Sequence, residues 1–86
     1  MRTIIFLIFL VGESVRGDTV DDLLKSAAAA DKEGQYQKAI DLLDKAIAKD
    51  PKAGAAYQLR GLTKFKLGNI AGSIADFDKF IDLEPK

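Results

Sequence analysis

The chain has 86 residues, with 13 Lys and Arg against 13 Asp and Glu, and it contains neither Cys nor His. This length leaves room for one small domain, and the balanced charge is not that of a basic nucleic-acid-binding protein or an acidic tail. The lack of cysteine excludes a disulfide framework and a Cys-ligated metal site. The hydrophobic content of 48% indicates that part of the chain packs into a core.

Residues 1–17 have the composition of a secretory signal peptide. A cation precedes an unbroken apolar run from Ile4 to Val11, and a polar stretch with small residues follows. The run is shorter than the about 20 apolar residues that a membrane-spanning helix needs. We predict cleavage after Gly17 and export to the periplasm or the medium. The alternatives are cleavage after Ser14, a buried N-terminal strand, and an uncleaved segment that anchors the protein in a membrane.

The first predicted helix follows this leader directly. From residue 18 onward, apolar residues fall three or four positions apart, which is the spacing of an amphipathic helix. Thr19 followed by Asp22 resembles a capping box, so the helix is expected to begin near Val20. It is expected to stop at Gly34, because glycine readily takes the left-handed conformation that ends many helices.

Three further helices are predicted. The second covers residues 36–49 and ends there because the residue before Pro51 is pushed out of the helical region. The third runs over about residues 53–67 and ends at a glycine. The fourth begins after Asn69, which is a favourable N-cap, and ends before Pro85.

The sequence repeats itself with a fixed period, which equals the separation of Gly34 from Gly68. Other pairs with this separation are Ile40 and Ile74, Asp44 and Asp78, Ile47 and Ile81, and Pro51 and Pro85. A fixed period with two helices per unit is typical of a helical solenoid, in which each unit buries its apolar face against the next. We therefore predict an all-α fold of about four helices, arranged as antiparallel helix-turn-helix repeats.

This pattern resembles the tetratricopeptide repeat (TPR) family, whose repeat has the same period of about 34 residues. The second unit carries Tyr57, Gly61, Gly68, Phe77 and Pro85 at the family's spacing. The first unit is more degenerate, and its matching residues are Leu23, Ala27, Gly34, Tyr36, Ala39, Ala46 and Pro51. The resemblance covers nearly all of the chain after the leader and implies two repeats, at residues 18–53 and 54–86.

Two positions depart from the family's pattern. Phe80 replaces the small Ala46 of the first unit, and a larger side chain there is expected to need a pocket supplied by a following element. Lys64 stands where the family usually has a large aromatic or aliphatic residue, and Phe65 beside it is a candidate to compensate.

No catalytic, cofactor-binding or metal-binding residues are assigned, and no cofactor is expected. The chain has no His to act as a base and no Cys to act as a nucleophile, and its Ser and Tyr residues lack a neighbouring general base. The acidic residues of the last helix are interpreted as a solvated face rather than a metal site, because helical spacing scatters them. These residues are Asp76, Asp78, Asp82 and Glu84.

A basic strip on the third helix does not predict nucleic-acid binding. Arg60, Lys64 and Lys66 come with no interleaved aromatic platform and no net positive charge. We expect them to pair with acidic residues of the same repeat or of its neighbour.

The resemblance implies that the first helix of each unit lines a concave groove that binds a protein or peptide partner. The residues predicted to contact the partner are Leu24, Ala28, Lys32, Gln58, Leu62, Phe65 and Lys66, with Asp21, Asp31 and Ala55 beside them. An alternative is that Leu62 and Phe65 pack between helices. The clamp for the C-terminal carboxylate of chaperones is missing, because Leu24, Ala28, Gln58 and Leu62 occupy the positions of its Lys and Asn residues.

Two repeats are fewer than the about three that such solenoids usually need. Since the sequence stops one residue after Pro85, we expect Phe80, Ile81 and Phe77 to face solvent until a second copy, a partner or the rest of a longer protein covers them. The predicted function is an exported protein-interaction module that uses its concave face. The alternative is a self-assembling structural module, or a truncated part of a longer TPR protein, with no dedicated ligand.

Overall fold

A computed structural model describes residues 19–84 of the chain. These residues form four helices, α1 (Val20–Lys32), α2 (Tyr36–Lys49), α3 (Gly54–Lys66) and α4 (Ile70–Leu83). The predicted all-α fold is confirmed, and the predicted helix bounds agree with the observed ones to within two residues. The predicted signal peptide, its cleavage sites and Pro85 lie outside the described residues.

The helix ends form as their sequences predict. The Thr19 hydroxyl oxygen accepts a hydrogen bond from the backbone N–H of Asp22 at 3.1 Å, and the Asn69 side chain accepts one from Gly72 at 3.0 Å. Gly34 and Gly68 follow α1 and α3 with φ angles of 79° and 86°. A side chain is strained at these angles, so glycine allows each pair of helices to turn back on itself.

The core is built mainly from alanines around two leucines, of which Leu43 is fully buried. α1 packs along α2, α3 packs along α4, and α2 lies against α3. Leu43 of α2 is fully buried at the centre of the first three helices. Alanines surround it and allow the helix axes to approach closely. The buried cluster consists of Leu23, Ala27, Ala30, Ala39, Leu43, Ala46 and Ala56.

The second repeat uses a glycine for its closest helix approach. A Cβ atom on Gly61 would lie 3.1 Å from Phe77 Cε1 and 3.2 Å from Asp76 Cβ, so α4 rests directly on the backbone of α3. Phe80 is half-buried, with its Cδ1 atom 3.5 Å from the place where a Gly54 Cβ would be. The expectation that Phe80 faces solvent is therefore wrong, because it packs back onto the first turn of α3.

A charged network joins α2, α3 and α4. Arg60 donates two hydrogen bonds to Asp76, at 2.8 and 2.9 Å, and a third to Asp44 at 2.7 Å. Lys64 Nζ lies 3.2 Å from Asp76 Oδ2. The prediction that these cations pair with neighbouring acids is confirmed. Asp76 itself is buried, so its assignment to the solvated face is wrong, whereas Asp78, Asp82 and Glu84 are exposed as predicted.

This network also changes the protonation of Asp76. Burial raises the pKa of the Asp76 carboxyl, but hydrogen bonds from Arg60 and Lys64 stabilise the charged form, and the pKa ends below its usual value. The same contacts explain why a lysine is accommodated at position 64. The Lys64 side chain is largely covered, while its ammonium group pairs with Asp76. An apolar residue is therefore not needed at position 64.

Between residues 19 and 84, no helix has the length and apolar character needed to cross a membrane.

Candidate functional site

An open recess of about 450 Å³ lies between α1 and α3. Its walls are mostly apolar, and they come from α1, α3 and one residue of α4. The volume falls in the range of ligand-binding pockets. The lining residues are Leu24, Lys25, Ala28, Ala55, Gln58, Leu59, Leu62 and Phe77.

Helical spacing places most of these residues on the same surface. Leu24 and Ala28 are four apart on α1, and on α3 Ala55, Gln58 and Leu62 follow at intervals of three and four. Residues at such intervals share one face of a helix, so two parallel rows of side chains border the recess. Ala28 and Ala55 are small, which leaves open space between the rows.

Phe77 reaches the recess from α4. Its ring lies against Gly61, and a side chain at that position would meet the ring at 3.1 Å. The glycine therefore lets an aromatic ring from the next helix line the recess between α1 and α3. This arrangement gives an otherwise aliphatic site one aromatic wall.

The structure brings four of the predicted partner-binding residues together at this recess, namely Leu24, Ala28, Gln58 and Leu62. Ala55, which was expected beside them, also lines it. Leu62 is 43% exposed, which leaves an apolar side chain available to a ligand. The alternative that Leu62 packs between helices is therefore not what is observed.

The other three predicted residues, Lys32, Phe65 and Lys66, are not part of the recess lining. Lys32 is exposed on the last turn of α1. Phe65 is 57% exposed, so it neither fills the recess nor packs between helices. Lys66 Nζ lies 2.6 Å from Asp31 Oδ2 and 5.8 Å from the centre of the Tyr36 ring. The hydrogen bond to Asp31 raises the pKa of Lys66 above its usual value, despite an opposing effect of desolvation.

Asp31 fixes α1 to α3 instead of facing a ligand. It is only 7% exposed, and its second carboxylate oxygen accepts a hydrogen bond from the Thr63 hydroxyl at 2.9 Å. Both oxygens are therefore engaged across the two helices that border the recess. The expectation that Asp31 is a groove residue is wrong, because Asp31 is buried and its carboxylate contacts α3.

Three lining residues, Lys25, Leu59 and Phe77, were not predicted to face a ligand. Lys25 is three residues before Ala28, so the helical period alone was enough to find it. Phe77 belongs to another helix, and its position depends on how α4 packs on α3. Lys25 is the charged residue among those that line the recess, and it favours a ligand with a carboxylate near the apolar space.

The groove has no metal-binding character in the part of the chain that the structure describes. No group of three or more acidic side chains within residues 19–84 is arranged to hold a metal ion. The lining of the recess is suited to an apolar group with polar atoms at its edge.

Comparison with known proteins gives matches that cover both repeats. Two tetratricopeptide repeat family models match the chain, one over residues 23–53 and one over residues 54–86. A TPR repeat-containing protein of Rhizobium etli is 31% identical over 68 residues, which cover 79% of this chain and 33% of that protein. The rhomboid protease GluP of Bacillus subtilis is 43% identical over 49 residues, which cover 56% of this chain and 10% of the protease. The chain thus spans about a third of one relative and a tenth of the other.

Proposed function

The chain belongs to the tetratricopeptide repeat family, and we propose that its groove between α1 and α3 binds an extended segment of a protein partner. The family's repeats are a non-catalytic interaction fold, which supports a role for the chain as an interaction module. The observation that carries the proposal is the apolar recess itself, which is bordered by exposed side chains from both helices.

The recess is suited to one bulky apolar side chain of the partner. Leu24, Leu62 and Phe77 offer apolar contacts on different sides, and the two alanines leave room between them. Burying a large apolar side chain contributes about 1.5–3 kcal/mol, which is enough for one residue to anchor a peptide. The partner segment is therefore expected to carry a Leu, Ile, Met, Phe or Tyr at its centre.

Two polar residues at the recess complement this anchor. Gln58 carries both a donor and an acceptor, which suits the N–H and C=O groups of an extended backbone. Lys25 offers an ammonium group to a carboxylate that flanks the anchor. We therefore expect the preferred segment to combine an apolar anchor with a nearby Asp or Glu.

A pair of neighbouring alanines provides a matched test. Ala28 and Ala29 are both exposed on α1, but only Ala28 lines the recess. Ala28→Glu is expected to weaken the binding of a peptide selected from a displayed random library by at least about tenfold, because it places a charge in the apolar space. Ala29→Glu is expected to leave the affinity within about twofold. The measurement is fluorescence anisotropy with each variant.

Circular dichroism of both variants controls for folding, since both substitutions lie at exposed helical positions. Equal losses in Ala28→Glu and Ala29→Glu, or no loss in either, would mean that the selected peptide binds elsewhere. A peptide without an apolar anchor would also count against the proposed mode.

We also propose that the protein works after export. The support is the cation, apolar run and small polar residues of the leader, which precede the first repeat. Mass spectrometry of the protein released by expressing cells is expected to give a mature N-terminus at Asp18. An intact Met1 in a membrane fraction would favour the anchored alternative and would contradict cleavage.

A further inference from the structure

A second exposed surface lies on the outer side of α4, away from the groove. Ile70, Ile74 and Ile81 are 48%, 56% and 57% exposed, and they follow one another along the helix at intervals of four and seven residues. Such intervals place them on one face. We call these three isoleucines, together with the exposed Asp78 between them, the α4 stripe.

The first repeat contains the same surface in a covered state. Tyr36, Ile40 and Ile47 lie one repeat period before the three isoleucines, and all three are partly buried on α2, against which α3 packs. The molecule thus shows what this surface accepts, which is an amphipathic helix lying against it. The α4 stripe offers the corresponding apolar positions without that cover.

The helix that packs on α2, which is α3, also brings cations to it. Arg60 of α3 donates a hydrogen bond to Asp44 at 2.7 Å, and Lys66 lies over the Tyr36 ring. Asp44 corresponds to Asp78 of the α4 stripe, which is one repeat period later and exposed. A helix that covers the stripe in the same way would therefore bring a basic residue to Asp78.

We propose that the α4 stripe is a second docking surface, which binds an amphipathic helix whose basic residue pairs with Asp78. This surface is separate from the groove between α1 and α3, so the module has room for two protein segments at once. The apolar contacts provide the affinity, while the pair with Asp78 fixes the direction and register of the bound helix.

A second copy of this chain is a poor occupant of the stripe. In a head-to-tail stack, α1 of the second copy would take the place of α3, and the residue that corresponds to Arg60 is Ser26. In a symmetric pair of α4 helices, the midpoint between Ile74 and Ile81 would place Asp78 opposite its own copy. The first arrangement lacks a cation opposite Asp78, and the second places two Asp78 carboxylates opposite each other. A helix with a basic residue at this position therefore fits better than a second copy.

The chain provides its own probe for this surface. A capped peptide of residues 53–67, AGAAYQLRGLTKFKL, has the sequence of the helix that covers the equivalent face of α2. At millimolar concentration it is added to isotope-labelled protein produced from the full 86-residue sequence, and binding is followed by amide chemical shifts. We expect the largest shifts along Ile70, Ile74, Asp78 and Ile81.

Variants at exposed positions test the specificity of this contact. Ile74→Glu with Ile81→Glu is expected to abolish the shifts, whereas Leu67→Glu, at a position that is 49% exposed outside the stripe, is expected to preserve them. Asp78→Lys is expected to weaken binding about three- to fivefold at low salt. A peptide with Arg60→Glu is expected to recover that loss against the Asp78→Lys protein.

Three results would overturn the proposal. The first is a lack of shifts on α4 at millimolar peptide. The second is a set of shifts that stays the same when the Asp78→Lys protein or the Arg60→Glu peptide is used. The third is a dimer in sedimentation experiments that disappears with the Ile74→Glu and Ile81→Glu changes, since the occupant would then be a second copy. None of these outcomes bears on the peptide groove, whose test depends on Ala28.

Discussion

Replacing Asp76 with alanine is expected to lower the free energy of unfolding by about 2–3 kcal/mol. Asp76 is 4% exposed, and its carboxylate accepts hydrogen bonds from Arg60, while Lys64 pairs with it at 3.2 Å. Its removal leaves two partly covered cations, Arg60 and Lys64, one turn apart on α3 with only Asp44 to compensate. Breaking a buried pair from one side is costly, because the remaining charge loses its partner but stays shielded from water.

Urea denaturation measures this change, and Asp78→Ala is the matched control on the same helix. Asp78 is exposed, so its replacement is expected to change stability by less than about 0.5 kcal/mol. Similar losses for the two variants would show that Asp76 is a surface residue like Asp78, in contradiction to the charged network.

The contribution of Asp76 is also expected to depend on pH. Its pKa is lowered in the folded protein, so the folded state favours the charged carboxylate. The stabilisation is present in full above the unfolded pKa of about 3.9 and is lost as the pH falls towards the lower folded value. The stability difference between the wild type and Asp76→Asn is therefore expected to be constant from about pH 5 to 8 and to shrink below about pH 4.

The second large effect is expected at Leu43. Leu43→Ala removes a fully buried side chain at the meeting point of α1, α2 and α3, and it is expected to cost about 3 kcal/mol. Thermal and urea unfolding provide the measurement. A domain of this size has only a few kcal/mol of stability to lose, so the variant is expected to be largely unfolded at elevated temperature.

Ile81→Ala is the control for Leu43, because it removes apolar atoms from an outer helix of the second repeat. Ile81 is 57% exposed, so the loss is expected to stay below about 1 kcal/mol in the purified protein. Comparable losses at Leu43 and Ile81 would mean that the outer side of α4 is already covered, which would contradict an available α4 stripe.

The helices could be predicted from the sequence because their signals are local. Thr19 and Asn69 cap helices through their own side chains, and Gly34 and Gly68 end them through backbone conformation. The repeat period then indicates how the helices pair, since each unit needs the next to bury its apolar face. These features do not depend on details of side-chain packing.

The contacts of individual side chains were harder to predict. Asp76 lies three residues after the buried Ser73 and therefore shares the inward face of α4, but its charge favoured exposure, and its partner Arg60 is on another helix. Asp31 lies on the groove helix, but its burial and its bonds to Thr63 and Lys66 depend on the distance between α1 and α3. A single sequence does not show which residues of another helix will pair with a buried charge.

In the groove, too, the residues that follow the helical period could be predicted, whereas the residue contributed by another helix could not. Leu24, Ala28, Gln58 and Leu62 could be predicted because they follow the helical period on two helices. Phe77 could not, because it enters the recess from a third helix through the gap at Gly61.

Binding of a protein segment in the groove between α1 and α3 can be observed residue by residue with a chemical-shift map. A peptide selected from a displayed random library is titrated into isotope-labelled protein, and the amide shifts are assigned to residues. We expect the largest shifts at Leu24, Ala28, Gln58 and Leu62. Shifts confined to the outer side of α2 or to α4, with these four residues unchanged, would contradict binding in the groove.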